Sequence, residues 1–139
     1  MNFVYRQYST IRQNRWRCTM PKATVLIADD SMFMRNLIKD LLSRHGYQII
    51  AEASDGYNAV ALYGEKHPDI AILDLIMPKM NGLHALKQIL LIDPNAKVIM
   101  CSSMGQKYLT IEALQIGAKD FIVKPYINEL VLSLNKLCS

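Results

Sequence analysis

Residues 70–82 read IAILDLIMPKMNG, and this stretch decides the fold. Its first four residues, Ile70-Ala71-Ile72-Leu73, have the length of a short strand. They do not alternate apolar with polar, so both faces of that strand must be covered. Asp74 ends the run. Pro78 and Asn81-Gly82 then turn the chain, and Asn81 can cap a helix over 82–91 that stops before Pro94.

Outward from there the same alternation repeats. Apolar runs of strand length fall at 24–28, 48–51, 98–101 and 121–123. Stretches with helical spacing lie between them. Met34, Leu37, Ile38, Leu41 and Leu42 recur at i, i+3, i+4, i+7 and i+8, which predicts an amphipathic helix face. Ser31 can cap that helix and Gly46 follows its end. Residues 56–66 make a second helix, stopped before Pro68, and residues 106–116 a fourth, closed by Gly117. Asn128 can cap a fifth helix with Leu130, Leu134 and Leu137 on one face. Five strands alternating with five helices predict an α/β fold with a doubly wound five-stranded parallel sheet, helices on both faces and right-handed crossovers.

Length and composition agree. The chain has 139 residues, 51% hydrophobic and 20% charged, the balance of one soluble globular domain. No apolar run reaches the roughly 18 residues of a membrane span. Cys18, Cys101 and Cys138 match neither a disulfide framework nor a zinc pattern, and Cys101, at the end of an apolar run, reads as a buried thiol suited to a reducing cytoplasm. The formal charge of +4 is concentrated in residues 1–20, which hold Arg6, Arg12, Arg15 and Arg17 and no acid. The remaining 12 Lys and Arg (16 less these four) balance all 12 Asp and Glu. A nucleic-acid reader would carry its basic face on the folded part, so the folded domain is not expected to bind nucleic acid. The expected organisation is a basic, disordered N-terminal extension over 1–22 and one domain over 23–139.

In an open α/β sheet, sites form beyond the carboxyl ends of the strands. Those ends carry Asp29-Asp30, Glu52, Asp74, Ser102-Ser103 and Lys124-Pro125. Any one of these alone is ordinary turn, cap or surface chemistry. Together they have one chemical sense. Gathered carboxylates repel one another unless a cation is present, and a hard dication with oxygen ligands, Mg²⁺, suits a few carboxylates plus waters and a phosphoryl group. An ammonium and a hydroxyl beside them suit phosphoryl oxygens. A carboxylate can itself be the nucleophile and form an acyl phosphate. His45, His67 and His84 lie on or near helices, away from the strand ends, and are expected to have surface or structural roles.

The segments Ala28-Asp29-Asp30-Ser31, Leu73-Asp74-Leu75-Ile76-Met77-Pro78-Lys79-Met80-Asn81-Gly82, Ile99-Met100-Cys101-Ser102 and Gly117-Ala118-Lys119-Asp120-Phe121-Ile122-Val123-Lys124-Pro125 resemble the receiver domains of bacterial two-component systems. The resemblance covers about residues 23–139. Residues 98–106, VIMCSSMGQ, look most like stand-alone chemotaxis regulators of the CheY type. The resemblance, rather than the spacing, implies a flavodoxin-like (βα)5 strand order of 2-1-3-4-5.

The resemblance also implies roles. Asp74 is the phosphoacceptor. Asp29 and Asp30 are the acidic pair that holds Mg²⁺ with Asp74, and Ile76 lends its backbone carbonyl to the metal. Lys124 contacts the phosphoryl oxygens and a carboxylate, and Ser102 supplies the hydroxyl that moves to the phosphoryl group. Phe121 stands at the switch aromatic, and the Lys124–Pro125 bond is cis. The donor would be a sensor histidine kinase, the receiver of the signal an output protein such as a flagellar motor switch component, and the compartment the cytoplasm. The chain would catalyse its own phosphorylation and dephosphorylation without turning over a separate substrate. Phe121 lacks a tyrosine hydroxyl, so its switch rests on packing. Ile76 and Met104 flank the path of the attacking water, and both are apolar, which implies slow spontaneous dephosphorylation.

The nearest alternative is a phosphorelay intermediate that passes the group to a histidine phosphotransferase. A phosphatase of the haloacid-dehalogenase type needs a second Asp two residues after the nucleophile, and neither Asp74 nor Asp29 has one. A DNA-binding regulator would need a helix-turn-helix domain after the receiver, whereas the sequence runs to Ser139.

Overall fold

A computed structural model describes residues 21–138 of the chain. The expectation of a disordered arm falls largely on residues 1–20, which lie outside the described residues. The elements run β1 (Thr24–Ala28), α1 (Met32–Arg44), β2 (Gln48–Ala53), α2 (Gly56–Lys66), β3 (Ile70–Leu73), α3 (Gly82–Ile92), β4 (Lys97–Ser102), α4 (Lys107–Ile116), β5 (Asp120–Val123) and α5 (Glu129–Cys138). The five strands are all parallel, in the order β2-β1-β3-β4-β5. This is the flavodoxin-like doubly wound sheet that the alternation and the resemblance led to.

The unbroken apolar strands have a simple cause. Neighbouring side chains point to opposite faces of a sheet, and here both faces are covered. Leu26, Ala28, Ala71, Leu73, Val98 and Met100 pack with Ala59 and Tyr63 of α2, Ala85, Leu86 and Ile89 of α3, and Ala113 of α4. The alternate residues Val25, Ile27, Ile70, Ile72, Ile99, Cys101 and Ile122 pack with Ile38 and Leu42 of α1 and Leu130 and Leu134 of α5. Every residue of β3 is buried, as its central place requires.

The caps are largely those expected. The Ser31 side chain accepts from the Met34 N–H, and that of Asn81 from the His84 N–H. Several boundaries move. β2 extends past residue 51 to Ala53, with a register irregularity opposite Val25 and Leu26. It is an edge strand with half-exposed residues, so polar Glu52 can sit in it with its carboxylate partly in water, and an apolar-run reading stops short. Gln106 stands before α4 rather than in it and makes no side-chain cap bond. Leu37, expected on the buried face of α1, is exposed; the helix buries Ile38, Leu41 and Leu42 instead. Lys22 hydrogen-bonds the Gly46 carbonyl at 2.7 Å through its backbone N–H, with its ammonium 5.3 Å from the Tyr47 ring centroid.

Candidate functional site

The carboxyl ends of β1 and β3 lie side by side, since Ala28 pairs with Leu73. Asp29 and Asp74 therefore leave the sheet as neighbours, and the Asp74 N–H donates to the Ala28 carbonyl. Carboxylate oxygens of Asp29, Asp30 and Asp74 all lie within 4.8 Å of one another. Asp29 and Asp74 are buried, and Asp30 faces solvent.

Lys124 reaches this cluster from the end of β5. Its Nζ stands 2.5 Å from Asp29 Oδ2 and 3.1 Å from Asp74 Oδ2. Burial alone would pull its ammonium down, but the hydrogen bond to Asp29, then the charges of Asp74 and Asp29, hold it above its ordinary value. The peptide bond from Lys124 to Pro125 is cis. Ser102, fully buried at the end of β4, accepts the Lys124 N–H on its carbonyl at 2.9 Å and the Met104 N–H on its Oγ at 3.2 Å.

The loop after Asp74 is fitted closely. The Ile76 N–H lies 3.5 Å from Asp74 Oδ1, while the Ile76 side chain points outward and is 59% exposed. A Cβ at Gly82 would strike the Asp74 carbonyl, so only glycine lets α3 start there. Likewise a Cβ at Gly56 would strike the Met80 carbonyl. Lys79 takes a left-handed conformation, φ 67°, and its ammonium stands 3.7 Å from buried Asp55.

Phe121 is half-buried, packed with Met104 against the core cluster on the α2–α4 face. Cys101 lies under the site with its thiol pushed up to about 12, chiefly by burial. His45 closes α1 with Nδ1 2.9 Å from the Leu41 carbonyl, and His67 ends α2, both away from the acid cluster.

The donor set tests the fit of a metal. It is anionic, all oxygen and open to water on the Asp30 side, with few enough carboxylates to leave positions for waters and phosphoryl oxygens. These are the preferences of Mg²⁺, and the residues fit it.

Sequence reasoning missed two contributors. Arg35 on α1 donates from Nη1 to the Asp29 carbonyl at 2.7 Å and from Nε to Glu52 Oε1 at 3.2 Å. Asp55, 4% exposed, caps α2 by accepting the Asn58 N–H at 2.7 Å and faces the loop after β3. A signal existed for Arg35. It sits in the first turn of a helix, where the dipole disfavours cations.

An acid cluster at the ends of β1 and β3, with a lysine reaching it from β5 of a 2-1-3-4-5 sheet, defines the receiver class of signalling domain. The chain belongs to that family: the model of the response regulator receiver domain matches residues 25–135. Within the family it is CheY-like. It is 52% identical over 114 residues to the chemotaxis protein CheY of Thermotoga maritima, covering 81% of this chain and 95% of that one. It is 50% identical over 113 residues to CheY of Bacillus subtilis, covering 81% and 94%. Its fold superposes on a chain of the CheX–CheY–BeF3–Mg²⁺ complex of Borrelia burgdorferi with a TM-score of 0.79 and 38% identity, covering 82% of this chain and 87% of the other.

Proposed function

We propose that this receiver works in a chemotaxis two-component pathway, accepting a phosphoryl group on Asp74 from a histidine kinase and signalling through the face around α4, β5 and α5. One observation carries the reading: three carboxylates meet within 4.8 Å, and a single ammonium bridges two of them. The relatives named for chemotaxis supply the pathway.

In the transfer, an oxygen of Asp74 attacks the phosphorus of a phosphohistidine. The new O–P bond forms as the P–N bond breaks, and the electron pair leaves with the imidazole. Little covalent work is asked of the protein, whose task is positioning and charge neutralisation. Lys124 fixes one oxygen of Asp74 at 3.1 Å. With its pKa held up, it stays protonated and can follow the charge onto the phosphoryl oxygens. Mg²⁺, held by Asp29, Asp30, Asp74 and the Ile76 carbonyl, would neutralise charge gathering on those oxygens.

Signalling starts at Ser102. Its Oγ now accepts the Met104 N–H, and its own proton can turn toward a phosphoryl oxygen. Met104 and Phe121 pack against one cluster, and a Cβ at Gly105 would touch Val123 at about 3 Å. A shift of Ser102 therefore repacks the loop before α4 and moves Phe121. The output surface that this would alter carries exposed Tyr108 and Leu114 on α4, and Tyr126 and Leu132 near or on α5. A flagellar motor switch component is the output partner on this reading, and the setting is the cytoplasm. Among the described residues, no helix is long and apolar enough to cross a membrane.

Incubation with Mg²⁺ and acetyl phosphate, followed by intact-mass analysis, tests the chemistry. Wild type should gain one phosphoryl group, and Asp74→Asn should gain none. Equal labelling of both proteins would defeat the assignment.

A further inference from the structure

Two successive residues of a strand point to opposite faces. Asp29 and Asp30 nevertheless bring both carboxylates into one cluster, so the chain must turn where β1 ends. That turn takes the Asp29 carbonyl away from the sheet ladder, although its N–H still donates to the Ala53 carbonyl at 3.0 Å. Buried carbonyls need partners, and the partner here is Arg35, whose Nη1 stands 2.7 Å away.

Arg35 is unusual in its place. It is a cation in the first turn of α1, where the helix dipole opposes it. Its side chain is 14% exposed. Glu52, on the neighbouring strand, orients it through Nε at 3.2 Å. Lys39 donates to the other Glu52 oxygen at 2.7 Å, and these hydrogen bonds, Lys39 first, hold the Glu52 carboxyl below its ordinary range against the opposing effect of burial.

We propose that Arg35, braced by Glu52, is a positioning residue for the metal site: it fixes the Asp29–Asp30 peptide so that both acids face one divalent cation. This rests on the Mg²⁺-dependent reading of the site. It gives a function to the polar end of β2 that phosphoryl transfer leaves unused. Asp29 is then anchored at its N–H by Ala53, at its carbonyl by Arg35, at Oδ1 by the Ser31 N–H and at Oδ2 by Lys124. Asp30, the exposed member, takes its direction from the peptide that Arg35 holds.

Positioning and simple charge predict opposite signs. A cation near a Mg²⁺ site repels the metal, so deleting it should tighten binding if charge is all that Arg35 contributes. Deleting a brace that orients metal ligands weakens binding by about 10-fold or more. The experiment is calorimetric titration of the full chain with MgCl₂, using wild type, Arg35→Met and Arg35→Lys, with folding checked by circular dichroism. Arg35→Met should bind Mg²⁺ about 10-fold more weakly, and Arg35→Lys, which can still donate to the Asp29 carbonyl, should recover most of the loss. The Asp30 amide resonance of metal-free Arg35→Met should also move. Unchanged or tighter Mg²⁺ binding by folded Arg35→Met overturns the proposal. If wild type itself fails to bind Mg²⁺, the reading of the site fails instead. If Arg35→Met does not fold, Arg35→Lys and Glu52→Gln decide: both must stay folded with weaker Mg²⁺ binding, Glu52→Gln the more affected, and wild-type affinity in both refutes the brace.

Discussion

Replacing Lys124 by Met removes the ammonium that joins two carboxylates and leaves the methylene stem in place. The side chain is 12% exposed, and its partners Asp29 and Asp74 are 2% and 9% exposed. Removing one partner of a buried ion pair costs about 3–5 kcal/mol, because the other charge stays buried without compensation. Here the site opens to water beside Asp30, so the lower end applies, about 3 kcal/mol. For a fold of this size that is roughly 12 °C in Tm. The loss should be measured by thermal melts in EDTA at neutral pH. It should shrink with saturating Mg²⁺, which the variant, freed of the competing ammonium, binds more tightly than wild type. Wild type has its own signature at alkaline pH. The Lys124 pKa is raised above 10.5 on folding, so its contribution is complete below 10.5 and is lost as pH rises through the higher folded value. A variant that melts within about 3 °C of wild type in EDTA, or whose deficit ignores Mg²⁺, would show that Lys124 is not the cation balancing this cluster.

Two glycines should respond in opposite ways to alanine. Gly82→Ala drives a Cβ into the Asp74 carbonyl and should cost about 1–3 kcal/mol and impair phosphorylation, whereas Gly64→Ala meets nothing nearer than Ile92 at 3.7 Å and should stabilise α2 by roughly 0.5–1 kcal/mol; urea melts read both. The Tyr63 hydroxyl, 3.3 Å from Asp93, is pushed up to about 12, by burial first and then by the Asp93 charge. Its protonated form is the stable one in the fold, so stability should fall between pH 10 and about 12, and Tyr63→Phe should flatten that fall in alkaline melts. Cys101, buried and with its pKa near 12, should resist a thiol reagent at pH 8 until the protein is unfolded, while exposed Cys138 reacts at once; peptide mapping of the modified sites checks this.

Much of the fold was legible because β1, β3 and β4 are buried on both faces. Ile70-Ala71-Ile72-Leu73 has no polar residue to confuse it, and its pairing partners on either side are apolar apart from Lys97 at the start of β4. Sequence pattern is least informative where burial is one-sided. β2 lies at the edge, so an apolar run stops short of Glu52 and Ala53, and helical spacing puts Leu37 on a buried face that α1 does not present. The acids and Lys124 were legible because the topology carries strand ends to one place, whatever the loops do. The braces around them were not. Arg35 meets Glu52 across 17 residues, and Lys79 meets Asp55 through a left-handed turn. Neither contact follows from local spacing. The first arises because α1 packs beside the strand ends and carries Arg35 to Glu52, and the second because Asp55, capping α2, lies within reach of Lys79 on the loop after β3.

On the proposed reading, Asp74 is the residue that takes the phosphoryl group. Borohydride trapping after reaction with acetyl phosphate and Mg²⁺ tests this directly, because hydride reduces an aspartyl phosphate to homoserine and leaves free aspartate untouched. Peptide sequencing by mass spectrometry should find homoserine at position 74 alone, and none when EDTA replaces Mg²⁺. Homoserine at Asp29 or Asp30 with Asp74 unmodified, or trapping at position 74 that is indifferent to EDTA, would contradict it.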